Sequence, residues 1–215
     1  MAERGRPRNF DRDQALQKAM EVFWSKGYEG ASLADLTEAM GINSPSLYGA
    51  FGSKEGLFRE AVALYRDTTG GSSRRALQDG ATARDGVQAM LMAAAERFTA
   101  PGTPPGCMIV LGAPSGSVHH DSVGGFLCDS RREMQSRIQA RLSAGVDNGE
   151  LPTGVDVKGL AAFYTTVLHG MSIQARDGAS RKTLQSVARQ AMCAWDALTG
   201  SRAPSGVPPA GNARS

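Results

Sequence analysis

Four arginines, Arg4, Arg6, Arg8 and Arg12, crowd the first dozen residues, opposed only by Glu3 and Asp11. Gly5 and Pro7 favour an extended course for this stretch, and arginines on an extended arm can enter a narrow minor groove, where negative potential is enhanced. The plainer alternative is an unstructured, solubilising end. Further along, Ser44, Ser46, Tyr48 and Gly49 fall on the outward side of a short helical pattern. These groups are small or hydrogen-bonding, so a helix carrying them can come close to a base edge or a phosphate, and Tyr48 would otherwise waste a large amphipathic side chain. Lys54 follows Ser53, a natural helix cap, and so falls in a first turn where the helix dipole disfavours a cation. A lysine poorly placed for stability is well placed for a phosphate, because the free N–H groups there already favour an anion. A surface lysine tolerating a small cost is the bland alternative.

Other reactive residue types are sparse. Cys107, Cys128 and Cys193 are widely spaced and odd in number, which argues against a disulfide framework or a zinc site. Cys107 could serve as a thiol sensor, but no Lys, Arg or His adjoins it in sequence, and a buried, inert cysteine is the simpler expectation. His119 and His120 invite a metal reading, yet adjacent helical residues diverge by about 100° and cannot chelate from one face. A loop cap before a helix starting near Asp121 fits them better. His169 lies among Val167, Leu168 and Met171, as a satisfied core or interface histidine or as a polar anchor in a pocket. With Cys107 and His169, the apolar Met90, Phe98, Met108, Phe126, Tyr164 and Met171 are the candidates for lining a ligand cavity; methionine stripes also make ordinary core. No Gly-rich phosphate loop, nucleophile elbow or metal-ligand cluster is present, so neither catalysis nor a cofactor or bound metal is expected.

The elements that must position these groups are helical. The chain has 215 residues, 41% hydrophobic and 21% charged, with a net charge of +3. It lacks the long apolar run of a membrane span and the apolar core of a secretory leader, which points to a cytoplasmic protein without membrane partners. Total charge does not argue for DNA, since residues 1–66 balance nine Lys/Arg with nine Asp/Glu; the case rests on placement. Leu16, Ala19, Met20, Phe23 and Trp24 form one apolar stripe that ends at Gly27. Ser32 and Asp35 form a capping-box variant opening a short helix that Gly41 closes. Ser44 is the expected cap of a third helix, with Pro45 at its first position and Leu47 and Phe51 inward. A longer helix then carries Leu57, Phe58, Ala61, Val62 and Tyr65. Gly70-Gly71-Ser72-Ser73 reads as a flexible break. Beyond it the periodicity predicts helices over 83–99, 121–147, 155–176 and 180–199, with a short buried helix at 107–111. Residues 200–215, rich in Gly, Pro, Ser and Ala, read as a disordered tail.

Helix, glycine turn, helix over Ser32 to Phe51 is the helix-turn-helix order. The run Gly27-Tyr28-Glu29-Gly30-Ala31-Ser32-Leu33-Ala34-Asp35-Leu36, then Met40-Gly41-Ile42-Asn43-Ser44-Pro45-Ser46-Leu47-Tyr48, then Phe51-Gly52-Ser53-Lys54-Glu55-Gly56-Leu57-Phe58 resembles the TetR family of bacterial repressors. The resemblance implies an all-α subunit: an N-terminal three-helix helix-turn-helix DNA-binding domain and a C-terminal helical domain for ligand binding and dimerisation. It implies phosphate contacts from Ser32, Tyr48 and Lys54, and groove-facing positions at Ser44, Ser46 and Gly49. The pattern departs at Gly49-Ala50, where the family often carries an aromatic residue and a histidine, and this shifts weight to Tyr48, Lys54 and the arm. The expected organisation is a basic arm at 1–10, a reader at 11–66, a ligand and dimer domain at 67–199 and a tail at 200–215. The last two long helices each have a continuous apolar face, and Phe163, Val167, Ala188, Ala191 and Trp195 are the expected dimer contacts. The implied function is repression of a palindromic double-stranded DNA operator by a homodimer, relieved by a small-molecule inducer. The alternative is an all-helical ligand-binding or interaction module that binds no operator.

Overall fold

A computed structural model describes residues 10–112 and 122–200. The arginines Arg4, Arg6 and Arg8, the segment His119-His120-Asp121 and residues 201–215 lie outside the described residues. Eleven α-helices and no strand occur among those described. Local chemistry sets most helix starts. Asp11 accepts from the N–H groups of Asp13 and Gln14 at 3.0 Å each and opens α1 (Arg12–Gly30). Ser32 and Asp35 complete the reciprocal capping box of α2 (Leu33–Met40), and Gly41 closes that helix with a φ of 66°. Asn43, rather than Ser44, caps α3 (Ser44–Phe51). Its side chain accepts from the Ser46 N–H at 2.9 Å, so Ser44 is the first helical residue. Ser53 caps α4 (Lys54–Asp67) by accepting from Gly56.

The break expected at Gly70–Ser73 is instead a packed joint. A single 3₁₀ turn, Thr69–Gly71, leads directly into α5 (Ser72–Asp79), whose Ser73 and Leu77 are buried. The glycines answer to space: a Cβ at Gly70 would lie 2.3 Å from the Tyr65 ring, and one at Gly71 2.8 Å from the Arg66 carbonyl. The remaining helices are α6 (Ala83–Phe98), α7 (Met108–Leu111), α8 (Ser122–Asp147), α9 (Val157–Arg176), α10 (Arg181–Cys193) and α11 (Trp195–Thr199). The single helix expected over 180–199 is thus two, joined at Ala194.

Two apolar cores organise these helices. The first joins α1 to α4 through Phe23, Trp24, Leu36, Leu47, Phe58 and Tyr65, and it also takes in Met108 of α7 with Val123 and Leu127 of α8. The expected division after residue 66 falls at the end of α4, but the packing does not divide there. The second core gathers α5, α6 and α8 to α11 around Val87, Leu91, Ile138, Leu142, Tyr164 and Leu184.

Candidate functional site

The starts of α2 and α4 and the outer face of α3 carry the surface of interest. On α3 the side toward the core is Leu47 and Phe51, both buried, while Ser44, Pro45, Tyr48 and Gly49 are exposed and Ser46 is half-buried. Tyr48 leaves 44% of its surface open. Nothing would meet a Cβ at Gly49 within 4 Å, so a partner can approach the backbone there. Ser32, at the exposed start of α2, accepts from the Asp35 N–H through its hydroxyl oxygen, which leaves the hydroxyl proton available to an acceptor. Lys26 ties α1 to this helix through Asp35 at 2.6 Å. The Lys26 ammonium, followed by the Ser32 groups, holds the Asp35 carboxyl at about 2.

Lys54 is the first residue of α4, and its ammonium sits 4.5 Å above the Tyr28 ring. That contact offsets the unfavourable dipole position which made Lys54 conspicuous in sequence. The root of the N-terminal arm lies on the same surface. Phe10 shares a groove with Gly41, Asn43 and Ser46, and Arg12 is held there by Glu60 at 2.7 Å and by stacking on Phe51 at 4.4 Å. Ser32 thus caps α2, Ser44, Ser46, Tyr48 and Gly49 lie on α3, and Lys54 opens α4.

A cavity of about 90 Å³ lies where the end of α4 and the joint before α5 meet α6, α7, α8 and α9. Of the residues expected in a ligand site, Phe98, Cys107 and His169 border it. Met90, Tyr164 and Met171 do not; they are packed within the second core, and Met108 within the first. Phe126 instead lies under the Arg59 guanidinium at 4.6 Å. Every charged residue of the cavity lining was missed from sequence: Arg66, Arg74, Arg97, Arg131, Glu133 and Arg137. One of them carried a signal, since Arg97 occupies a core-facing position of α6 between Ala94 and Phe98 and is only 8% exposed. Burial, with the nearby Arg131 charge second, pushes His169 down to about 4, so it is neutral at pH 7. Burial, then Cys107, pushes the Tyr65 hydroxyl well above its ordinary range. No cluster of three or more metal-ligating side chains occurs among the described residues.

The dimer expectations divide. Ala188, Ala191 and Trp195 face inward, with exposures of 1%, 8% and 2%, so they are already spent on the subunit's own core. Val167 is partly buried against the same core, and Phe163 alone is open. The exposed large apolar side chains of the last three helices are Phe163, Ile173, Val187 and Leu198.

The model of the bacterial regulatory proteins of the tetR family matches residues 15–61, and that of the tetracyclin repressor-like C-terminal domain matches residues 81–192. The chain belongs to the TetR family. As such it is a transcriptional regulator with an N-terminal DNA-binding helix-turn-helix. Among its relatives, the transcriptional repressor ComR of Escherichia coli K12 is 40% identical over 197 residues, covering 91% of this chain and 93% of that one. The repressor BdcR of the same organism is 32% identical, covering 87% and 90%. Among solved structures, a cysteine mutant of the TetR-family regulator CifR in complex with 26-base-pair operator DNA superposes with a TM-score of 0.84. It is 48% identical, covering 88% of this chain and all of that one. No described helix of this TetR-family chain is long and apolar enough to cross a membrane.

Proposed function

We propose that the protein is a cytoplasmic, homodimeric repressor that binds a palindromic double-stranded operator through α3 and the N-terminal arm, and that a small-molecule inducer releases it. The observation that carries this reading is the placement of Tyr48. Among the described residues it is the single exposed large apolar side chain outside α9 to α11, and it stands on the outer face of the second helix of a helix-turn-helix. Fold and identity shared with operator-bound CifR support the same surface.

In this reading Ser32, Tyr48 and Lys54 hold phosphates, and Ser44, Ser46 and Gly49 bring α3 against base edges. Arg4, Arg6 and Arg8 contact the minor groove in the same reading. One short helix reads too few base pairs to select a genomic site, so two copies are required. The open faces of α9 to α11, with Phe163, Val187 and Leu198, supply the pairing surface. The role is binding rather than catalysis.

A gel shift with the DNA upstream of the protein's own gene tests the proposal. A discrete, competitor-resistant complex containing two subunits is expected. Binding no tighter than to random duplex would reject it in favour of a ligand-binding or interaction module.

A further inference from the structure

The cavity is lined by five arginines, Arg66, Arg74, Arg97, Arg131 and Arg137, and by one carboxylate, Glu133. Arg66 and Arg137 share Glu133. Arg131 donates to the Ile109 carbonyl at 3.3 Å, and Arg74 has no carboxylate partner among the described residues. Arg97 is the extreme case. It is more than nine-tenths buried and pairs with no described carboxylate, and its Nε has no hydrogen-bond partner. Its remaining nitrogens make long contacts to the Thr103 hydroxyl at 3.3 Å and the Gly106 carbonyl at 3.5 Å, and the guanidinium also lies beside the Tyr65 hydroxyl. What supports the guanidinium is aromatic: the Trp24 ring at 4.1 Å and the Tyr65 ring at 5.8 Å. A buried charge held by π faces rather than by a counter-ion is costly unless something else compensates it.

We propose that this cavity binds a small organic monocarboxylate, with its carboxylate on Arg97 and its apolar body against Phe98 and Leu168. This rests on the inducer-released reading above and gives the inducer its chemical class. A planar carboxylate matches the guanidinium fork. One negative charge balances the one cation of the lining that is more than nine-tenths buried. The location also supplies a route to the DNA-binding end, since Trp24 belongs to α1 and Tyr65 to α4. A carboxylate that draws Arg97 toward itself alters its contact with α1 and α4. The leverage available is the ligand's difference in affinity between the two arrangements.

The probes are butanoate, benzoate and phenylacetate, with benzamide as the uncharged counterpart of benzoate and inorganic phosphate as a second anion. Intact protein is titrated at constant ionic strength while tryptophan emission and melting temperature are followed, and operator binding is measured in parallel. At least one carboxylate is expected to change the emission saturably, raise the melting temperature and weaken operator binding by roughly tenfold or more. Benzamide should do none of these. Arg97→Met should keep helical content yet show no saturable emission change and no rise in melting temperature with the carboxylates. If that variant fails to fold, the comparison of benzoate with benzamide on the wild-type protein decides. Equal binding of benzamide, equal binding of phosphate, or silence toward all three carboxylates would overturn the site. Carboxylate binding that leaves operator affinity unchanged would overturn its role as inducer. Failure to bind any operator, with carboxylates still bound, would instead overturn the repressor reading and leave the site standing.

Discussion

Lys54 shows how a single side chain can answer to two demands. In sequence it looked misplaced at a helix start; in the structure it rests on Tyr28, so stability alone accounts for its position. A phosphate role must therefore be measured. Lys54→Ala is expected to lower the salt dependence of operator binding by about 0.9 in the log–log slope, the signature of one released counterion. Tyr48→Phe should weaken binding with no change of slope. Fluorescence anisotropy across a salt series distinguishes the two. His169 makes a separate prediction. Its folded value of about 4 lies below the ordinary 6.5, so the unfolded chain binds the proton first as pH falls. The stability this residue contributes is complete above pH 6.5 and is lost on descending toward pH 4, by about 3 kcal/mol at most. Urea unfolding at both ends of that window should show a smaller loss in His169→Leu than in the wild type.

Among the helices, those of the reader were the most readable, because their caps and glycine stops are local events written in adjacent residues. Ser32, Gly41 and Ser53 each act within one turn of their own position. The joint at Gly70–Ser73 was misread because those glycines serve the Tyr65 ring and the Arg66 carbonyl rather than chain freedom. The cavity was unreadable for a related reason, since its arginines come from α4, α5, α6 and α8 and meet only in three dimensions. The end of α1 depends on such distant partners as well. Arg176, in the last turn of α9, donates to the carbonyls of Trp24 at 2.8 Å and Ser25 at 2.9 Å, and the Tyr28 N–H reaches Gly112 at 2.8 Å. Gly27 makes this possible with a φ of 72° and a ψ of 174°, a region essentially restricted to glycine. Arg176→Ala should cost about 2 kcal/mol by loss of charge-assisted hydrogen bonds to otherwise orphaned carbonyls. Hydrogen exchange should quicken around residues 24–31 and stay unchanged in α10.

For the whole molecule, the expected dimer contacts are instructive, because several of them are buried within the chain's own core. Periodicity reveals that α9 and α10 have apolar faces but not which of them the subunit keeps for itself. Ala188, Ala191 and Trp195 turned out to be inward, while Phe163 and Val187 remain 38% and 37% exposed. Phe163→Asp and Val187→Asp are accordingly expected to give folded monomers that bind the operator poorly, as sedimentation and anisotropy would show. Ala191→Glu should behave differently and lower the melting temperature, because it forces a charge into the core. Dissociation without unfolding in Ala191→Glu would contradict the placement.

The shared packing of Met108, Val123 and Leu127 with the helices of the reader has a consequence for how such regulators can be recombined. A chimera cut at the apparent boundary after α4 would graft foreign side chains onto one half of a continuous core. Three apolar positions would then be matched to neighbours they did not evolve with. Swapping specificity between members of this architecture therefore calls for transplanting α7 and the first turns of α8 together with the DNA-reading helices. By the same logic, drift at those three positions is constrained by both halves of the protein at once, so sequence change there should track the reader even though the residues lie beyond α4, in the part that matches the C-terminal domain.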